Sequence, residues 1–234
     1  MKVIIPMAGK GQRFLDKGYT VPKPFIDIRG QSMIELAVDN LNIDAPHIFI
    51  MQKSHYDEYK HVMDRIMLKK PGSQIIKIDE FTQGPASTCL KAKEFIDDQP
   101  LLYANCDQFL LWEPQQFIWS VEQFYGGLLM YRDQSDYGSF VTLNPSGYVD
   151  HCAEKEVISD ISSTGVYYWS KGTNFVKDAE SMIKKDRRAL NGEFYAINVY
   201  NEAIERGEKI VVYFIKKFWR LGVPHELETY LEET

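Results

Sequence analysis

The sequence predicts an α/β fold built on a mostly parallel, mixed central sheet with helices on both faces. Three observations carry this expectation. Short apolar runs recur with the length of buried strands, segments of helical periodicity lie between them, and turn residues separate the two. Strand and helix alternating in this way is the pattern of right-handed βαβ units, in which each helix packs back onto a parallel sheet. In such a sheet the carboxyl ends of the strands form the ligand edge.

The elements follow in order. Residues 3–6 (VIIP) read as a buried first strand, and 47–52 (HIFIMQ), 74–78 (QIIKI) and 101–104 (LLYA) as three more. Ser32 can cap a helix starting near Met33, with Glu35 as its capping-box partner and Ile34, Leu36, Ala37, Val38 and Leu41 as apolar positions. Helical spacing continues over 55–68 and 86–96. After residue 125 the character changes. The short runs GGLLMYR, SFVTLN, YVDHCA and STGVYYW, separated by turns such as NPSG, predict strands added to the same sheet. Helices over about 171–184 and 194–206, a last strand KIVVYFI and a short helix at ELETYLE complete the chain. No linker, repeat or low-complexity stretch interrupts it, so a single domain over 1–234 is expected.

The chain has 234 residues, 44% of them hydrophobic and 13% aromatic, enough to bury a substantial core. A net charge of -6 argues against nonspecific binding to nucleic acid or an anionic membrane, so any cationic site must be focal. Cys89, Cys106 and Cys152 are odd in number and widely spaced. They fit neither a disulfide framework nor a zinc site and read as buried, reduced thiols. The first apolar run breaks at Pro6 and Gly9, too early for a signal sequence or a membrane span, and a cytoplasmic protein is expected.

The first strand runs into Gly9-Lys10-Gly11-Gln12-Arg13-Phe14. Phe14 stands where a dinucleotide fingerprint needs its third glycine, and no Walker spacing is present. What remains is a glycine loop whose backbone amides can face an anion, with charge from Lys10 and Arg13, or else a tight turn with solvated basic residues. Arginine suits a phosphate because its planar fork donates two hydrogen bonds. Lys23 then sits between Pro22 and Pro24, which restrict the backbone around one ammonium group.

Glycine loop, basic residue, Pro-Lys-Pro and GQSMIE, in this order, resemble the sugar-phosphate nucleotidylyltransferases, or nucleotide-sugar pyrophosphorylases, and most nearly their short capsule-locus members. The resemblance covers nearly the whole chain. It implies a Rossmann-like GT-A-type nucleotidyltransferase fold, with an NTP-binding half at 1–125 and an acceptor-binding half at 126–234. It also implies that Ala8, Gly9, Gly11, Arg13 and Lys23 contact the nucleoside triphosphate. FTQGPASTCLKA resembles the base-reading segment, which implies Gln83 and Gly84 beside the base. LLYANCDQF puts Asp107 just past a strand end, where the matching aspartate binds Mg²⁺ bridging the phosphates. Magnesium accepts one or two carboxylates plus phosphate oxygens and water. HCAEKEVISD resembles the element that grips the acceptor phosphate, with Glu156 where proline would stand; it implies Lys155 on that phosphate and Glu154 in the acceptor pocket. STGVYYW and NGEFYAINVYNEAI imply Thr164, Gly165 and Glu193 at the acceptor. Arg13, Lys23 and Asp107 are the implied catalytic set.

The implied reaction joins an NTP, with CTP or UTP favoured, to a small phosphorylated acceptor such as a sugar phosphate. Pyrophosphate is released, and an activated precursor for capsule or surface polysaccharide is made. One departure stands out. Where many members carry a second metal-binding aspartate before Gly-Thr-Pro, this chain reads FWRLGVPHEL, with Arg220 in that place and Val223 for threonine. Either Asp107 acts with water and phosphates alone, or another carboxylate such as Asp160 substitutes, or catalysis is lost. Arg220 itself could receive an anionic acceptor. A nucleotide-sugar-dependent glycosyltransferase and a noncatalytic nucleotidyltransferase-like binding module are the competing readings. Phe109, Leu110, Leu111 and Trp112 read as core, with an interface between copies as the alternative.

Overall fold

The computed structural model of the chain describes residues 1–133 and 138–234. The first half comprises β1 (Lys2–Pro6), α1 (Gln12–Leu15), β2 (Asp27–Ile28), β3 (Gln31–Ser32), α2 (Met33–Leu41), β4 (His47–Gln52), α3 (Lys53–Lys69), β5 (Gln74–Ile78), α4 (Pro85–Leu90), β6 (Leu101–Ala104), β7 (Gln108–Leu111) and α5 (Pro114–Val121). Then come β8 (Gly126–Arg132), β9 (Ser139–Leu143), β10 (Val149–Glu154), β11 (Ile161–Trp169), α6 (Gly172–Lys184), α7 (Tyr200–Ile204), β12 (Ile210–Phe214), β13 (Lys217–Arg220) and α8 (Pro224–Glu233).

The four expected strands of the first half form the parallel part of the sheet, in the order β6-β1-β4-β5. β11 joins antiparallel to β6, and β9, β10 and β8 extend the sheet from it, with β12 parallel to β8 at the end. The result is the mixed, mostly parallel sheet of a Rossmann-like nucleotidyltransferase fold. Alternation along the buried strands feeds two cores. Val3, Ile5, Phe49 and Met51 point into one with α2, α3 and α5, while Ile4, Ile48, Ile50 and Trp169 point into the other with α4, α6 and α7. A third cluster of Phe14, Ile26, Ile28, Met33, Leu221, Leu227 and Tyr230 fastens α8 to the loops at the ligand edge.

Local sequence explains several boundaries. Ser32 Oγ accepts from the Glu35 amide while Glu35 Oε2 accepts from the Ser32 amide, the expected capping box. The segment expected as a helix over 194–206 starts late, with a 3₁₀ turn at Ile197–Val199 before α7. Tertiary pairing overrides helical spacing there: the Phe194 amide donates to Gln83 O at 2.8 Å, and Phe194 O accepts from the Ala86 amide at 3.0 Å. The helix expected over 86–96 likewise closes at Leu90, followed by a 3₁₀ turn at Lys93–Phe95. The apolar run at 109–112 divides: Leu110 is buried and Leu111 is exposed. All three thiols are buried and unpaired. Among the described residues, no helix is long and apolar enough to cross a membrane.

Candidate active site

β1 and β6 are parallel neighbours, so the loops that leave them emerge at the same edge of the sheet. After β1, Gly11 adopts φ +66°, a left-handed conformation that glycine takes without strain, and starts α1. A Cβ on Gly11 would lie 3.2 Å from Lys23 Cβ, so the glycine also lets the opening loop pack against the Pro-Lys-Pro turn. Lys23 begins a 3₁₀ turn between its prolines. Its Nζ donates to Asp107 Oδ2 at 2.6 Å, in a half-buried pair. Burial by itself disfavours the ammonium, but the Asp107 carboxylate outweighs it, and Lys23 titrates well above an ordinary lysine.

Asp107 is fixed through its backbone as well, since its carbonyl accepts from the Leu221 amide at 2.8 Å. That bond brings β13 beside β7 and places Gly222 against the carboxylate. β11 reaches the same edge from the other side. Its register against β8 breaks between Ser163 and Val166, and Thr164 and Gly165 sit at that break, with Gly165 at φ +86°. Gly165 must be glycine, because a Cβ there would fall 2.1 Å from Asn105 Nδ2.

Two adjoining cavities result. One, of about 540 Å³, is lined by Ala8, Gly9, Gly11, Lys23, Thr82, Gly84 and Asp107. The other, of about 600 Å³, is lined by Gly11, Arg13, Lys23, Asp107, Glu154, Lys155, Thr164, Gly165 and Glu193. Gly11, Gln12, Lys23, Asn105, Asp107, Glu193 and Tyr195 belong to both, so they form the wall between them. The structure therefore brings together every residue expected at the site except one. Gln83 lines neither cavity; its Oε1 accepts from Arg188 Nη2 at 2.7 Å, and Thr82 stands on the cavity wall instead. Arg13 lies in the second cavity rather than the first.

The second cavity mixes charges. Lys155 adopts φ +59°, with its amide donating to Gly138 O at 2.6 Å and its ammonium 5.2 Å from the Tyr195 ring centroid. Glu154 accepts a hydrogen bond from Ser139 Oγ. Burial pushes the Glu154 carboxyl up to about 7, against the pull of that bond and of Lys155. Glu193 Oε2 accepts from Asn191 Nδ2 at 2.7 Å and from Tyr195 Oη at 2.5 Å.

Arg220 lines the second cavity in the place of the absent aspartate, and pairs with Asp133, Glu226 and the Tyr131 hydroxyl. Asp160 does not replace that aspartate. It lines neither cavity and is bound by Arg132 Nη1 at 2.6 Å. Among the described residues no group of three or more His, Cys, Asp or Glu could hold a metal. Asp107 still fits a magnesium ion that shares one carboxylate with phosphates and water, since only its Oδ2 is engaged by Lys23.

Sequence reasoning missed Asn105, Gln108, Ser139, Ser163 and Tyr195 on these walls. Gln108 is 2% exposed, and neither of its carboxamide atoms has a hydrogen-bond partner among the described residues. Its position, next to a strand-end aspartate, was the available signal.

The pattern that defines the nucleotidyl transferase family matches residues 2–226. The chain belongs to that family. It is an enzyme of the sugar-phosphate nucleotidylyltransferase type. A nucleoside-diphosphate-sugar pyrophosphorylase from Vibrio cholerae superposes with a TM-score of 0.86 at 25% identity, covering 99% of this chain and 100% of its own. The inositol-1-phosphate CTP transferase from T. maritima has the same fold, with a TM-score of 0.74 at 13% identity and coverage of 99% and 96%. So does a Bacillus anthracis protein provisionally assigned as a glucose-1-phosphate thymidylyltransferase and solved with sucrose, with a TM-score of 0.80 at 17% identity and coverage of 99% and 94%. Among curated proteins none matches the sequence.

Proposed function

We propose that this nucleotidyltransferase joins CTP or UTP to a small phosphorylated acceptor, releasing pyrophosphate and making an activated precursor for capsule or surface polysaccharide. The observation that carries the reaction is the pair of cavities separated by Lys23 and Asp107. A triphosphate in the first and a phosphomonoester in the second would meet at that wall. The choice of a pyrimidine and of the capsule role rests on the motif resemblance; one neighbour in fold acts with CTP.

Residues 1–125 hold the nucleotide in this reading and 126–234 the acceptor. Lys23 leaves Asp107 for the triphosphate, whose oxygens offer an ammonium stronger, charge-assisted bonds. Arg13, on the acceptor side, faces the developing charge at the α-phosphorus, and Lys155 holds the acceptor phosphate. An oxygen of that phosphate attacks the α-phosphorus, the bond to the bridging oxygen of the β-phosphate breaks, and pyrophosphate leaves. No covalent protein intermediate is required, because a phosphomonoester is already ionised near neutral pH. The enzyme's contribution is to position two anions and neutralise their charge. Magnesium, which members of this family commonly use, would be held by Asp107 and would supply further neutralisation of the phosphates. Glu154 and Glu193, which line the second cavity, receive acceptor hydroxyls in this reading.

Mixing the protein with each of four NTPs, Mg²⁺ and a panel of sugar, polyol and amino-acid phosphates tests this reading. Pyrophosphate release that requires both an NTP and one acceptor is the expected result. Turnover of a nucleotide sugar instead would mark a glycosyltransferase, and nucleotide binding without turnover a noncatalytic module.

A further inference from the structure

The motifs also bring aromatic side chains to the nucleotide cavity. Three aromatic residues line it: Tyr103, Tyr195 and Phe81. Tyr103 is buried, gives its hydroxyl to Asn105 at 2.9 Å and stacks on Tyr167 at 5.1 Å. Tyr195 gives its hydroxyl to Glu193. Phe81 differs from both, being 54% exposed in the loop between β5 and α4. Its partner is Lys10, whose Nζ lies 5.0 Å from the ring centroid and reaches over from the opening loop. Gln83, the residue expected to read the edge of a base, is meanwhile turned out to Arg188. The cavity therefore offers a base an apolar ring face at Phe81 more readily than the Gln83 carboxamide.

We propose that Phe81 is the stacking platform for the nucleotide base, and that Lys10 exchanges partners on binding. The ring face passes from the ammonium to the base, and the ammonium passes from the ring to the triphosphate. This deepens the reading of the cavity as an NTP site and rests on it. Both halves of the exchange run in the favourable direction. A cation over an exposed ring is held weakly, whereas a base stacked on an aromatic side chain is held more strongly and without regard to its identity. An ammonium group on phosphate oxygens gains charge-assisted hydrogen bonds that a ring cannot give. The two residues sit on different loops, so the exchange would close both loops around one ligand.

Calorimetric titration with magnesium tests the proposal, using two probes: an NTP that wild-type protein binds, and inorganic tripolyphosphate. Phe81→Ala should weaken the NTP about tenfold, within the range of base stacking on aromatic residues, and leave tripolyphosphate unchanged. Phe81→Leu, which keeps an apolar side chain but no ring, should show most of the same loss. Lys10→Met should weaken both probes. In Phe81→Trp, the NTP should quench fluorescence beyond any change in wild type, and tripolyphosphate should not. NTP affinity within twofold of wild type in Phe81→Ala overturns the proposal, as does an equal loss for both probes. Failure of the wild-type protein to bind any NTP would instead overturn the reading of the cavity itself.

Discussion

Gly222 gives the sharpest test of the role of Asp107, because it changes no charge. It follows β13, and a Cβ built on it lies 2.1 Å from Asp107 Oδ2 and 3.1 Å from Cγ. Its φ is not among the positive values, so alanine can adopt the backbone conformation. A carbon and an oxygen approach to about 3.3 Å at closest. Gly222→Ala must therefore move the carboxylate by roughly 1 Å or more, off its 2.6 Å contact with Lys23. The Asp107 side chain is 18% exposed, which leaves it room to swing. A displacement of about 1 Å at a positioning group costs on the order of a hundredfold in rate, or about 2.7 kcal/mol in the barrier. Steady-state pyrophosphate release should fall by that factor in Gly222→Ala, approaching the value for Asp107→Asn. Destabilisation should stay within the roughly 1–3 kcal/mol of an overpacked site. A folded Gly222→Ala protein with wild-type turnover would refute the argument.

Other outcomes follow from the same geometry. Lys23→Ala should lower turnover at least about a hundredfold, the loss of one charge-stabilising donor, with an unchanged circular dichroism spectrum. Glu154 holds its proton up to about pH 7, against 4.5 for an ordinary glutamate. The folded state thus binds more protons than the unfolded one across that window, and stability falls as pH rises through it. Urea denaturation at pH 5 and pH 8 should show that decline in wild type and a smaller one in Glu154→Gln. Glu35 acts in the opposite sense but below that window, since hydrogen bonds from Arg65 and Ser32 outweigh its burial and lower it to about 2. Ser32→Ala should cost about 1 kcal/mol through loss of the capping box, seen as a fall of roughly 2–4 °C in Tm.

The parallel half of the sheet was legible because strands buried on both faces are continuously apolar along their middle, as Ile48–Met51 are between His47 and Gln52. The capping box was legible because its residues lie three apart. What escaped was set by distant partners. The β7–β13 pair sets Gln108 beside Arg220 at the rim of the acceptor cavity, so each of these four-residue strands ends on a polar side chain and neither reads as a strand by its pattern. Gln83 has the chemistry to read a base, but Arg188 draws it away, and that contact spans 105 residues. Gly84, expected beside the base, does line the nucleotide cavity. It also meets a packing need that only the fold displays, since a Cβ there would sit 2.6 Å from Phe194 O. The motifs pointed to Lys23, Asp107 and Lys155, and the fold places all three on one cavity. No spacing in the sequence revealed that Asp107 lies hard against Gly222.

The proposed reaction needs two anions to meet across Lys23 and Asp107, and a crystal structure with a nonhydrolysable NTP analogue and Mn²⁺ tests this most directly. Anomalous scattering should place the metal within coordination distance of Asp107, with the triphosphate beside Lys23 and the base in the cavity lined by Ala8, Gly9 and Gly84. A triphosphate bound away from Lys23, or a metal with no contact to Asp107, would contradict it.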